Sequence, residues 1–279
     1  MIDIIDNMKE AMNHEFKKCF GQNFISDTNL LSSIASDAGV NEGDTIIEIG
    51  TGAGTLTTML AKKAKRVFTF EIDRSLNDIL APKFENYDNI ELIFEDIMKV
   101  TVEDIQKLVG DGDFKVVANI PYYITTPIIF KFIKNFDNLK SMTIMVQKEV
   151  ADRMVSPPDT KDYGALSVMT SYYGRAKVTR KVSRNMFYPV PNVDSAVVRI
   201  DMYENRDKSL DKIFQNLVKA AFHMRRKTLA NNFSESFNIK SADASKLISG
   251  AGLDPRVRGE KLNVNEYIRL AKTLRNMQI

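Results

Sequence analysis

The chain has 279 residues, 44% apolar and 27% charged, with a net charge of +3, one cysteine, two histidines and no tryptophan. Ordinary apolar content at this length excludes disorder and lets one large domain, or one domain with a smaller companion, bury a full core. Cys19 cannot form an internal disulfide, and Cys19 with only His14 and His223 cannot build a zinc cage, so metal-free chemistry in a reducing compartment is expected.

The opening residues, MIDIIDNMKEAMNHEF, place two acids in the first six positions, unlike a basic secretion signal or an Arg-rich transit peptide. No run of about 18 apolar residues follows that could cross a bilayer, so a cytoplasmic protein with no membrane partner is expected. From Thr45 onward, β-branched runs alternate with helical stretches. Strands are predicted at 45–49, 66–71, 89–94, 115–118 and 142–146, and helices at 54–64, 75–85, near 101–108, near 126–135 and at 148–154. That alternation implies right-handed crossovers and a mainly parallel sheet with helices on both faces. Past residue 156 the pattern changes. Segments 165–172, 176–182 and 195–202 read as strands joined by short turns, so the sheet is expected to finish antiparallel. A polar stretch at 203–208 reads as a linker, and helices are predicted at 209–222, 225–232, 243–250 and 263–276.

The strand TIIEI runs into Gly50-Thr51-Gly52-Ala53-Gly54 and then a helix. Glycines there permit a tight turn and let a ligand lie against bare backbone. Glu71 ends the next strand, 21 residues after Gly50, where an acid can accept from both hydroxyls of a ribose. Asp96 ends the third strand, placed to accept from an adenine amine. Dinucleotide sites generally use GxGxxG; GxGxG preceded by an acid in the strand (Glu48) is the form of S-adenosylmethionine sites.

Strand four ends in Asn119-Ile120-Pro121-Tyr122. The Asn119 oxygen and a neighbouring backbone carbonyl, that of Ile120, can accept both N–H bonds of an adenine N6 amine. The nitrogen lone pair is then drawn out of conjugation toward an activated methyl, while Tyr122 stacks on the base. The amine becomes acidic only after alkylation, so no strong base is needed beforehand. Phe187 in NMFYPVP supplies a second aromatic face, or else an ordinary core contact. Related motifs also serve glutamine amides and DNA bases, so the segment defines the reaction better than the substrate.

These residues form part of a longer set: FGQNFI (20–25), EIGTGAG (48–54), EID (71–73), NIPY (119–122), VQKEVADRM (146–154), KDYGALSV (161–168), FYPVPNVDSAV (187–197) and AFHMRRKTL (221–229). In this order they resemble the KsgA family, the small-subunit ribosomal RNA adenine N6,N6-dimethyltransferases, over nearly the whole chain. The resemblance implies an α/β, Rossmann-like seven-stranded S-adenosylmethionine-dependent methyltransferase sheet at 1–204 and a small helical C-terminal rRNA-binding domain at 205–279. It implies dimethylation of two adjacent adenosines near the 3′ end of 16S rRNA in the immature 30S subunit, by a monomer with a role in ribosome biogenesis. Carried over by position, Asn23, Ile25, Gly50, Glu71, Asp96 and Asn119 would contact S-adenosylmethionine. Asn119, Pro121 and Tyr122 would hold the target amine, with Phe187 stacking on the base. Family members often have Pro where this chain has Thr51, which leaves the glycine turn but bears on its shape.

Charge distribution supports the division. Residues 1–139 carry 14 Lys/Arg and 22 Asp/Glu, a balance of −8, whereas 140–279 carry 25 and 14, a balance of +11. The basic half is expected to meet RNA phosphates, with Arg225, Arg226 and Lys227 the favoured contacts. A 23S rRNA adenine methylase and a non-catalytic assembly factor are the alternatives. The intact glycine loop, Glu71, Asp96 and NIPY weigh against the latter.

Overall fold

The computed structural model describes residues 24, 25 and 27–277. Its strands are β1 (Phe24–Ile25), β2 (Thr45–Ile49), β3 (Arg66–Phe70), β4 (Ile90–Ile93), β5 (Phe114–Asn119), β6 (Leu139–Gln147), β7 (Gly174–Val182), β8 (Phe187–Tyr188) and β9 (Ser195–Met202). Its helices are α1 (Thr28–Asp37), α2 (Thr55–Ala61), α3 (Asn77–Phe84), α4 (Val102–Val109), α5 (Thr125–Asn135), α6 (Lys148–Val155), α7 (Ala165–Tyr173), α8 (Asp211–Ala221), α9 (Leu229–Phe237), α10 (Ser241–Gly250) and α11 (Val264–Asn276).

Seven strands form one sheet in the order β4-β3-β2-β5-β6-β9-β7. The pairs from β4 to β6 are parallel and β9 runs antiparallel to β6, as the alternating segments and the final strand-rich stretch predict. The strand order reverses at β2, where β3 lies to one side and β5 to the other. A crevice opens at such a switch point beyond the carboxyl ends of the strands.

Alternation along each strand sends side chains to two faces. Ile46, Val67, Val117, Met145 and Val197 join one cluster with Leu31 and Ile34 of α1 and Leu56 and Leu60 of α2. On the opposite face Phe114 meets Phe132 and Phe136 of α5, with ring centroids 6.5 and 5.5 Å apart. The short strands β1 and β8, which the sequence pattern did not mark, pair separately, with Ile25 opposite Phe187.

Two compact units result. One comprises the described residues up to Ala151 with Lys177–Met202, and the other comprises Asp152–Ala176 with Tyr203 onward. In the second unit Tyr172 of α7 stacks on Phe214 of α8 with centroids 3.7 Å apart, and Phe214 meets Tyr267 of α11 edge-on. The Tyr163 hydroxyl donates to the Leu262 carbonyl at 2.6 Å.

Two expectations are corrected here. Segment 165–172 is not a strand but part of helix α7. Seven of its nine residues are buried, so it lacks the polar face that marks a helix in sequence, and its Val, Thr and Tyr mimic a buried strand. The helix expected at 225–232 starts at Leu229, because the Thr228 hydroxyl accepts from the Asn231 N–H and caps the first turn. Arg225, Arg226 and Lys227 therefore precede a helix.

Phe132→Ala, which opens a hole in the ring cluster, should lower stability in a denaturant titration by about 3–5 kcal/mol. Lys107→Ala, which removes an exposed ion pair to Asp104, should leave the midpoint unchanged. Similar losses from both would show that the ring cluster is not a core.

Candidate active site

A cavity of about 250 Å³ opens at the carboxyl ends of β2, β3 and β5. Ile25, Gly50, Glu71, Asp96, Asn119, Pro121 and Tyr122, predicted from sequence, all line it. Asn23 lies outside the described residues. Phe187 is not part of the lining: it is 2% exposed and packs in the core cluster with Ile25. The expectation that it offers a stacking face is not met in this arrangement, because the β1–β8 pairing turns it into the core.

The glycine turn explains the convergence. Gly50, Gly52 and Gly54 all have positive φ, at 83°, 55° and 72°. Beyond that backbone demand, a Cβ on Gly50 would stand 3.1 Å from the Asn119 carbonyl. Bare backbone at position 50 is thus what lets the β5 end approach the loop.

Glu71 is 5% exposed and is held by three backbone N–H donors. Gly52 donates to Oε2 at 2.9 Å; Ile72 and Asp73 donate to Oε1 at 2.9 and 3.0 Å. Burial pushes its pKa upward, and these donors oppose the rise. Two carboxylate oxygens offer about four acceptor sites, so Glu71 can bind the loop and still take a hydroxyl. Asp96 accepts from the Met98 N–H through Oδ1 at 2.9 Å. The next turn is tied down by Lys131 of α5, whose ammonium donates to the Ile97 and Val100 carbonyls at 2.6 and 2.5 Å.

Beneath the turn lies Glu48, fully buried. Thr57 and Thr69 each donate a hydroxyl to its Oε2 at 2.6 Å, and among the described residues its Oε1 has no hydrogen-bond partner. Because Thr69 spends its one proton on Glu48, the 2.7 Å contact between the Thr51 and Thr69 hydroxyls makes Thr51 the donor. Thr51 thereby joins the glycine turn to the buried acid. Burial pushes the Glu48 carboxyl up to about 7, with the two threonine donors opposing and nearby Glu71 adding a smaller rise.

At the β5 end, Tyr122 is held by a 2.7 Å hydrogen bond between its hydroxyl and that of Ser195 on β9. The Pro121 carbonyl accepts from the Ile124 N–H at 3.2 Å and the Thr125 hydroxyl at 3.4 Å. Sequence reasoning missed the supports, Lys131, Ser195 and Lys83 (described below). Each lies 28 or more positions from its partner, and nothing in local periodicity marks it. The apolar wall formed by Ile72, Ile97 and Met98 was also missed, although all three follow the predicted acids within two residues.

In the second unit, Arg225 donates to the Lys161 and Tyr163 carbonyls at 3.2 Å each, and Lys227 pairs with Glu235 at 2.7 Å. Arg226 is exposed. Among the described residues no helix is long and apolar enough to cross a membrane.

A Rossmann-like sheet with an antiparallel strand beside β6, and a cavity built from a glycine turn, strand-end acids and an NIPY segment, defines a methyltransferase. More specifically, residues 13–276 match the model of the ribosomal RNA adenine dimethylase family, and the chain belongs to that family. It is therefore an enzyme of the rRNA adenine N6,N6-dimethyltransferase class. The chain is 44% identical over 265 residues to the ribosomal RNA small subunit methyltransferase A of Clostridium acetobutylicum, covering 94% of this chain and 95% of that protein. The protein of the same name from Clostridioides difficile is 43% identical over 264 residues, 92% of this chain and 90% of its own. Among solved structures, a dimethyladenosine transferase from Plasmodium falciparum matches with a TM-score of 0.79 and 25% identity over 92% of this chain and 98% of that one. The 23S rRNA methyltransferase ErmE matches with a TM-score of 0.69 and 25% identity over 91% and 100%.

Glu48 yields a pH prediction. Its folded-state pKa lies above the usual 4.5, so its contribution to stability is present below that value and is lost as pH rises to about 7. A rise of this size corresponds to about 3 kcal/mol. Glu48→Gln should lack this decline, so its stability relative to the native chain should improve by roughly that amount between about pH 4 and pH 8. Urea titrations at both pH values measure it. A constant gap would mean that folding leaves the Glu48 pKa where it stands in the unfolded chain.

Proposed function

We propose that this chain uses S-adenosylmethionine to dimethylate N6 of two adjacent adenosines near the 3′ end of 16S rRNA, acting on the immature small subunit in the cytoplasm. The observation that carries the proposal is the convergence of Gly50, Glu71, Asp96 and the Asn119–Tyr122 segment on one cavity at the strand switch point. The small-subunit enzymes named above support the choice of rRNA, since they match at 44% and 43% identity over nearly the full chain.

The donor and acceptor set fits the cofactor. Glu71, preorganised by three amides, retains acceptor capacity for ribose hydroxyls. Asp96 stands beside the apolar wall of Ile72, Ile97 and Met98, which suits an adenine ring with one polar edge. The three glycines offer backbone to the remainder. Bound there, S-adenosylmethionine would supply a methyl group activated on a sulfonium.

The rest of the chemistry is orientation. The Asn119 side-chain oxygen and the Ile120 carbonyl accept the two N–H bonds of the target amine and aim its lone pair. The Pro121 carbonyl is already an acceptor within its own turn, which leaves Ile120 for this role. Tyr122 provides the stacking face, steadied by Ser195, while Phe187 supports Ile25 from the core side. Residues 205–279 serve as the rRNA-binding region. Arg226 supplies an exposed charge, Arg225 the framework, and Lys227 a charge shared with Glu235.

Incubated with labelled S-adenosylmethionine, the protein should methylate small subunits that lack the modification and leave mature small and large subunits unlabelled. Labelling of 23S rRNA would transfer the assignment to the large subunit. Cofactor binding without any labelling would favour an assembly factor. Asn119→Ala should reduce transfer by about 100-fold or more while subunit binding persists. Turnover within a few-fold of native would remove Asn119 from the amine-holding role.

A further inference from the structure

We infer that Lys83 is a positioning residue for the cofactor loop, acting through the peptide of Ala53 rather than by touching the ligand; this rests on the cavity being the S-adenosylmethionine site. Lys83 is the penultimate residue of α3, and its ammonium donates to the Ala53 carbonyl at 2.7 Å and to the Thr55 hydroxyl at 3.3 Å. Ala53 and Thr55 line the cavity, whereas Lys83 does not. The same helix lies directly on the turn. A Cβ added to Gly54 would stand 2.8 Å from the Phe84 ring and 2.9 Å from Leu80.

The loop is therefore gripped at two points. Thr51 is tied inward through Thr69 to Glu48, and Ala53 is tied outward to Lys83. Between them sits Gly52, whose N–H orients Glu71. Glycines at positive φ have the widest choice of backbone conformation of any residue, so a three-glycine turn needs external restraints to hold one shape. A charged donor makes the stronger kind of hydrogen bond to a carbonyl. The lysine is exposed, and the desolvation that its contacts impose pushes its pKa down while Glu48 opposes the shift. Bound to the Ala53 carbonyl, the ammonium fixes the plane of the Ala53–Gly54 peptide at the cavity edge.

The test compares native protein with Lys83→Met, which keeps the apolar stem, and Lys83→Arg, which keeps the charge. S-adenosylhomocysteine is titrated calorimetrically into each, and kcat and KM are measured with undermethylated small subunits. Lys83→Met should weaken ligand binding about tenfold and raise the cofactor KM by a similar factor, with kcat and the KM for the subunit within about twofold. Lys83→Arg should recover most of the loss. A dissociation constant for Lys83→Met within about twofold of native would overturn the inference, whatever happens to thermal stability. If Lys83→Met is not fully folded at the assay temperature, Lys83→Gln, titrated where its melting curve shows it folded, carries the same criterion. No binding of S-adenosylhomocysteine to the native chain would instead defeat the cofactor assignment itself.

Discussion

The site depends on one backbone requirement: β2 must end in a turn whose peptide groups stay bare toward the cavity. Three glycines at positive φ meet it, and neighbouring elements are fitted to the absence of side chains. Gly50 lets the β5 end come close, so the segment that would hold the amine abuts the loop that would hold the cofactor. Gly54 lets α3 settle on the turn. Gly52 sends its N–H to Glu71 and thereby connects the ends of β2 and β3. A side chain at Gly50 would press on the Asn119 carbonyl, and one at Gly54 on Phe84 and Leu80 of α3.

Such a turn has no intrinsic stiffness, and the surrounding charges supply it. Glu48, Glu71 and Asp96 stand at or near successive strand ends, two of them buried. Burying carboxylates is costly unless donors surround them. Glu71 has three amides, whereas Glu48 has two hydroxyls and leaves one oxygen without a partner among the described residues, and burial pushes its carboxyl up to about 7 against those two donors. Lysines answer from the helices, Lys83 onto the glycine turn and Lys131 onto the turn that carries Asp96. Three acids of the first half thus gather at the cavity, and two of its lysines are used on backbone carbonyls beside it.

Much of this was legible in the residues. The five parallel strands were readable because β-branched runs in a buried sheet are nearly continuous and contrast sharply with the intervening amphipathic helices. The site acids and NIPY were readable because a Rossmann-like crossover brings every strand end to the same edge. Segment 165–172 misled because a helix buried all round carries no periodic signal. Strands β1 and β8 were invisible for a different reason. Each has two residues and exists only through pairing with the other, across more than 160 positions. That same pairing decided the place of Phe187. In sequence it could serve a cavity or a core, and its partner Ile25 drew it into the core.

What the sequence determined by itself was the class of fold, the family and most of the residues that line the cavity, because these reside in local pattern and in motifs at strand ends. Only the tertiary structure decided which groups hold those residues still: Ser195 on Tyr122, Lys131 beside Asp96, Lys83 on Ala53, and the threonine chain from Thr51 to Glu48. The reason is physical. A hydrogen bond between groups 18 to 73 positions apart leaves no mark on either local segment, and comes into being only when burial brings donor and acceptor together.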